Sequence, residues 1–226
     1  MLGQCAQSPI NDISGLLKRA IGGHWGLAPR LGALVQKDAI EAWNLPQGVI
    51  SHMFRAVAGG KPGVLSAVGL HTFVDPRVDG GRLTPRTAAS QLEPRVELVR
   101  MGGADCLFYP SLPLDVALLR ATTADAHGNL STENEPFHHD LLSMAQAARN
   151  SGGRVVAQVK RIVPYGTLRP CDVKVIVDLS SKRDKSKRNT RTQKGLIRGF
   201  VLGFGIKCSV FTYACVGFFI SNLGLR

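Results

Sequence analysis

From about Gly15 the chain alternates short apolar runs with glycine turns and amphipathic stretches, and that rhythm restricts it to a sheet with helices on its faces. The expected fold class is α/β, with an open, mostly parallel sheet and flanking helices. A first helix starts near Pro29 and runs through Leu31, Leu34 and Val35, and a short strand follows at residues 39–43. Pro46 suits the first turn of a second helix, because Val49, Ile50, Met53, Phe54 and Val57 recur at helical spacing and Gly59 and Gly60 can end it. Residues 64–68 read as a buried strand and 75–85 as a loop. Two apolar runs, 96–101 and 106–109, flank Gly102, Gly103 and Ala104 as a hairpin. Residues 115–120 form a further strand. Leu141 to Asn150 then reads as a helix closed at Ser151-Gly152-Gly153, where a glycine takes the left-handed cap, and a strand follows at 155–159.

The 226 residues suffice for one large domain or two small ones, and 44% apolar against 19% charged residues exclude a disordered or collagen-like chain. The net charge of +12 is concentrated near the end of the chain. Residues 1–181 hold 18 basic and 15 acidic side chains, whereas 182–198 hold eight basic ones against the single Asp184. A nucleic-acid groove therefore does not follow from charge, and no nucleic-acid partner is expected, since the basic run also lacks interleaved aromatics. The expected organisation is an unassigned segment at 1–14, an α/β domain at 15–178, a basic linker at 179–198 and an apolar tail at 199–226. Residues 199–223 read either as a membrane anchor, weakened by Lys207 and several glycines, or as an end unrelated to the body. Five cysteines without a CxxC pair point to free thiols, and Met1 to Asp12 shows no secretory leader, so a cytoplasmic location is expected.

General catalytic patterns are weak. Ser51 and His52 are adjacent, so on a helix they diverge by about 100° and do not pair as nucleophile and base. Gly59-Gly60-Lys61-Pro62-Gly63 lacks the hydroxyl residue that a phosphate loop places after its lysine, and reads as a helix-to-strand turn. His138, His139 and Asp140 read as a helix N-terminus, and no metal is assigned.

Two segments carry more: Ile21-Gly22-Gly23-His24-Trp25-Gly26-Leu27-Ala28-Pro29 and Ala42-Trp43-Asn44-Leu45-Pro46-Gln47-Gly48-Val49-Ile50-Ser51-His52. Each sits where a strand or loop meets a helix N-terminus, the place where open α/β sheets bind ligands. Together with residues 59–64, Val68-Gly69-Leu70-His71-Thr72-Phe73-Val74-Asp75-Pro76-Arg77, residues 123–129 and residues 145–153, they resemble, in order and spacing, the N-terminal half of the acetate/propionate-type CoA-transferases. The resemblance runs from about Gly15 to Asp178.

It implies a glutamate-dependent transferase that moves CoA from an acyl-CoA to a short-chain carboxylate. In that family two α/β halves meet, and a glutamate of the second half attacks the thioester, passes through a mixed anhydride and holds CoA as a glutamyl thioester. No cofactor is implied, acyl-CoA being the substrate. Because the match ends near Asp178, the chain is expected to be a truncated lobe, inactive by itself, with a non-homologous tail. Alternatively it is a non-catalytic lobe pairing with a second CoA-transferase lobe or with its own copies, or a membrane-associated fragment. Thr132-Glu133-Asn134-Glu135 resembles the catalytic Glu-Asn-Gly, but Pro136 and Phe137 follow where glycines should stand, so no catalytic residue is assigned. Gln47 matches a glutamine lining the family's substrate pocket; its alternative role is a helix-start amide bonding free N–H groups. Gly48, Asn44, Gly22 and Gly23 are expected beside it, and His24 and Trp25 are expected to be packing residues.

Overall fold

The computed structural model describes residues 17–26, 28–89, 96–135, 138, 140–176 and 201–202. They fall into two compact units divided between Pro113 and Leu114. The segment 1–14, all of the basic linker and all of the apolar tail except residues 201–202 lie outside the described residues, and the anchor reading with them. Among the described residues no helix is long and apolar enough to cross a membrane.

In the first unit, β1 (Arg19–Gly22) runs parallel to β2 (Glu41–Asn44), with α1 (Pro29–Gln36) as the crossover. Proline opens α1 at the position where a missing N–H costs nothing, and Leu31, Leu34 and Val35 pack with Trp25 on a small core of Leu17, Ala20 and Ile40. Trp25 is thus the packing residue it was expected to be. The second helix, α2 (Gln47–Ala58), follows Pro46 and buries Val49, Ile50, Met53, Phe54 and Val57. Its end is a turn: Lys61 N–H donates to Ala56 O at 2.8 Å and Gly60 takes φ +64°. His52 stands exposed on the helix surface.

A three-stranded antiparallel sheet of order β3 (Gly63–Ser66), β5 (Ala104–Pro110), β4 (Glu97–Met101) completes the unit. Gly102 and Gly103, at φ +61° and +82°, turn the hairpin that the flanking apolar runs predict. A short helix, α3 (Pro85–Ala89), stands where the sequence reading ends its loop; Thr84 Oγ1 accepts the Thr87 N–H at 3.2 Å and so starts it.

The second unit centres on β6 (Val116–Asp125) and β8 (Arg154–Val163), which are parallel. The antiparallel β7 (Asn129–Ser131) and β9 (Val173–Ile176) extend the sheet beyond β6, and the two-residue β10 (Val201–Leu202) pairs parallel with β8. The α4 helix (Leu141–Asn150) buries Leu141, Met144, Ala145 and Ala148, opposite a sheet face of Ala117, Leu119, Ala121, Ala157 and Val159. The α/β class thus holds, with the strands shared among a parallel pair, a mixed sheet and an antiparallel one. Strand β6 outruns its apolar stretch because Thr122, Thr123 and Asp125 are buried with their polar atoms bonded. Polarity hides such strand ends from a reading by hydropathy.

Candidate functional site

Strands β1 and β2 end level with each other: Gly22 is the register partner of Asn44, and Leu45 N–H donates to Gly22 O at 3.2 Å. Beyond this line the chain turns at Pro46, φ −57°, and α2 begins at Gln47. The backbone of Gly23 lies against that start. A β-carbon on Gly23 would stand 2.9 Å from Gln47 Cα and 2.6 Å from its Oε1, so only glycine fits. Gly22, Gly23, Asn44, Gln47 and Gly48, all singled out in the sequence, therefore meet at one edge, where two strand ends face the first turn of a helix. The first-turn N–H groups of α2, its partial positive pole and the Gln47 amide favour a polar or anionic ligand group there.

A third segment, loop by composition, closes the other side of β2. Asn44 N–H donates to Gly81 O at 2.7 Å, Trp43 bridges Arg82 antiparallel, and Leu83 N–H donates to Ala42 O at 3.0 Å. The loop leading to it is built on Asp75, which is 1% exposed. Its carboxylate accepts Arg77 Nη2 at 2.6 Å, Arg77 Nε at 2.9 Å, the Arg77 N–H at 3.0 Å and the His71 N–H at 2.9 Å. The Arg77 guanidinium, helped by the His71 N–H, holds this carboxyl far below the usual carboxylate range. At the loop's start the buried Tyr109 hydroxyl donates to Val68 O at 2.6 Å. Burial, with the Asp75 charge nearby, pushes that phenol up to about 12. The signal for this clasp was the Asp-Pro-Arg of residues 75–77, whose spacing puts a guanidinium within reach of the aspartate two residues back.

In the second unit Glu133 follows β7. Thr123 Oγ1 donates to its Oε1 at 2.5 Å, Ser131 Oγ to its Oε2 at 2.6 Å, and Arg161 Nη2 to Oε1 at 2.7 Å. Burial works against the charge, but Ser131, Thr123, the backbone and Arg161 outweigh it and hold the carboxyl at about 2, below its ordinary 4.5. A carboxylate so depressed stabilises the fold above about pH 4.5, and that contribution fades as pH falls toward 2. Because the side chain is 36% exposed, solvent screening reduces it. Glu133→Gln is expected to cost about 1–2 kcal/mol near neutral pH, the gap to the parent closing at about pH 2. Urea unfolding at the two pH values measures it, and a gap independent of pH would show the ion pair to be immaterial.

His138 lies before α4, its Nδ1 2.6 Å from Thr132 Oγ1, and Leu141 N–H donates to its carbonyl. Among the described residues no three His, Cys, Asp or Glu side chains gather as metal ligands.

Parallel strands that end in glycine turns against a helix N-terminus are the place where open α/β sheets bind ligands. The chain belongs to the coenzyme A transferase family, whose model matches residues 12–175. It is 40% identical over 176 residues to the acetate CoA-transferase YdiF of Escherichia coli K12, covering 77% of this chain and 32% of that one. It is 44% identical over 163 residues to the caffeate CoA-transferase of Acetobacterium woodii, covering 72% and 30%. The solved structure of the acyl-CoA transferase YdiF from E. coli O157:H7, a thioester complex with CoA, superposes with a TM-score of 0.68 at 41% identity, over 72% of this chain and 31% of that one. The chain thus spans about a third of the length of these relatives.

Proposed function

We propose that this chain is the pocket-forming lobe of an acyl-CoA:carboxylate CoA-transferase of the acetate/propionate type, acting with a second lobe that supplies the attacking glutamate. The observation that carries this reading is the convergence of Gly22, Gly23, Asn44, Gln47 and Gly48 on one edge of a chain in this family. In this reading the Gln47 amide and the opening N–H groups of α2 receive the acyl carbonyl or acceptor carboxylate, while Gly22 and Gly23 let the pantetheine arm approach backbone. Relatives named for acetate and for caffeate share a transferable carboxylate and differ in the bulk behind it. Acyl-CoA enters as substrate and no cofactor has a role.

Glu133 is not the nucleophile in this reading. With three donors on its oxygens and its pKa near 2, three of its four lone pairs are committed and its basicity is low. The chain by itself is therefore expected to bind acyl-CoA without turning it over. Calorimetric titration with propionyl-CoA should show saturable binding, weakened about tenfold by Gln47→Ala through loss of one hydrogen-bonding amide. Incubation with propionyl-CoA and acetate should yield no acetyl-CoA above the uncatalysed rate. Transfer at enzymatic rates would overturn the division of labour, and absence of binding would overturn the pocket.

A further inference from the structure

The loop of residues 71–81 has no regular secondary structure, yet it is held at three points. Tyr109 fastens its approach at Val68, and a β-carbon on Gly69, at φ +102°, would stand 2.6 Å from the same hydroxyl. The Asp75 carboxylate gathers two backbone N–H groups and the Nε–Nη2 edge of the Arg77 guanidinium in its middle. Asp75 O accepts the N–H groups of Val78 and Gly80, and Gly81 N–H returns to Phe73 O at 2.9 Å, which shuts the loop on itself.

What leaves this closed loop is Gly81, at φ +75°, with its carbonyl on the Asn44 N–H. Its α-carbon is so close that a β-carbon would stand 2.8 Å from Asn44 O and 3.1 Å from Leu45 Cδ2. Both the N–H and the C=O of Asn44 thus lie against the loop, three residues before Gln47. A segment without a ladder of its own keeps one position only if something inside it is rigid, and a bidentate guanidinium–carboxylate pair supplies that rigidity. The His71 backbone, at φ +60° without being glycine, is held in that region by its N–H bond to Asp75.

We propose that Asp75 and Arg77 are positioning residues for the acyl-CoA pocket, their ion pair locking the loop so that Gly81 sets the Asn44 peptide and, through it, the start of α2 at Gln47. This rests on the pocket assigned above, but the positional half can be tested without it. Arg77→Ala removes the fork; Arg77→Lys keeps the charge without the bidentate geometry; Asp105→Asn removes only the negative charge from the exposed link between Asp105 Oδ2 and Arg77 Nη1, at 3.4 Å.

Amide hydrogen exchange on the full chain should show Asn44 losing about tenfold or more of its protection in Arg77→Ala, with Ile50 and Met53 in α2 unchanged. Propionyl-CoA affinity should fall about tenfold in Arg77→Ala and less in Arg77→Lys, and stay at the parent value in Asp105→Asn. Unchanged Asn44 exchange in Arg77→Ala overturns the proposal. So does protection lost equally across α2, which would make the pair a general stabiliser, and so does an affinity indifferent to the clasp. If the parent itself fails to bind propionyl-CoA, the pocket assignment falls, and the Asn44 exchange still decides whether the clasp positions that peptide.

Discussion

Gly153→Ala is expected to destabilise the second unit by about 3 kcal/mol, at the upper end of what overpacking costs. A β-carbon there would stand 2.5 Å from Asp115 O and 2.7 Å from the Asp115 carbonyl carbon, with Leu114 O nearer still. All three are backbone atoms, so no rotamer change relieves the clash. They are also fixed by what they do: Gly153 N–H donates to Ala148 O at 2.8 Å, closing α4, and Arg154 N–H donates to Asp115 O at 2.7 Å, opening the β6–β8 ladder. The added methyl must therefore either part the two strands at their first pair or pull the helix end out of register. Neighbouring Gly152 is the internal control. At φ +74° with open space around it, Gly152→Ala meets only the backbone penalty of about 1–2 kcal/mol. Urea unfolding followed by circular dichroism ranks the two, and a cost at Gly153 no greater than at Gly152 would mean that the Leu114–Asp115 backbone yields.

In the first unit the largest effect is expected from Trp43→Ala, about 3–5 kcal/mol. Trp43 is 1% exposed and is among the largest fully buried side chains. It pairs with Ile21 across the parallel ladder and bridges Arg82 on the other side, and the Arg19 guanidinium lies 5.4 Å from its ring centroid. Its removal leaves a void that backbone on two sides cannot collapse into, so relaxation recovers little of the loss. Trp43→Phe should restore most of the packing without the wider ring under Arg19. Guanidinium denaturation separates the two variants, with Trp25 left as fluorescent reporter. Equal stability of the Ala and Phe variants would contradict the void.

Helices α1, α2 and α4 were legible because their causes are local. Pro29 and Pro46 set the entries of α1 and α2, the three-and-four spacing of Val49 to Val57 marked the buried stripe, and the glycine pair after Asn150 set the exit of α4 at φ +74°. The hairpin at Gly102-Gly103 was legible for the same reason, since its turn needs left-handed backbone at both residues. Candidate pocket residues were found through two short segments, each ending a strand and opening a loop or helix. That they meet follows from the register of β1 on β2, which no local pattern encodes.

What lay beyond reach of the sequence were interactions between distant segments. The strand-like pairing of residues 81–83 along β2 satisfies an edge whose partner is some 40 residues away, and nothing in Gly81-Arg82-Leu83 alone looks like a strand. Polar residues of β6 read as a strand's end, because burial of Thr122 and Thr123 depends on donors brought from residues 134 and 161. Local backbone chemistry and apolar periodicity are properties of neighbouring residues, and so α1, α2, α4, the β4–β5 hairpin, the α/β class and the membership of the motifs in one family could be read directly, whereas β1, β7, β9 and α3 could not. The edge at which Gly23 meets Gln47, the clasp that sets Asn44 and the three donors that occupy Glu133 are contacts between remote parts of the chain, and only the folded structure decides them.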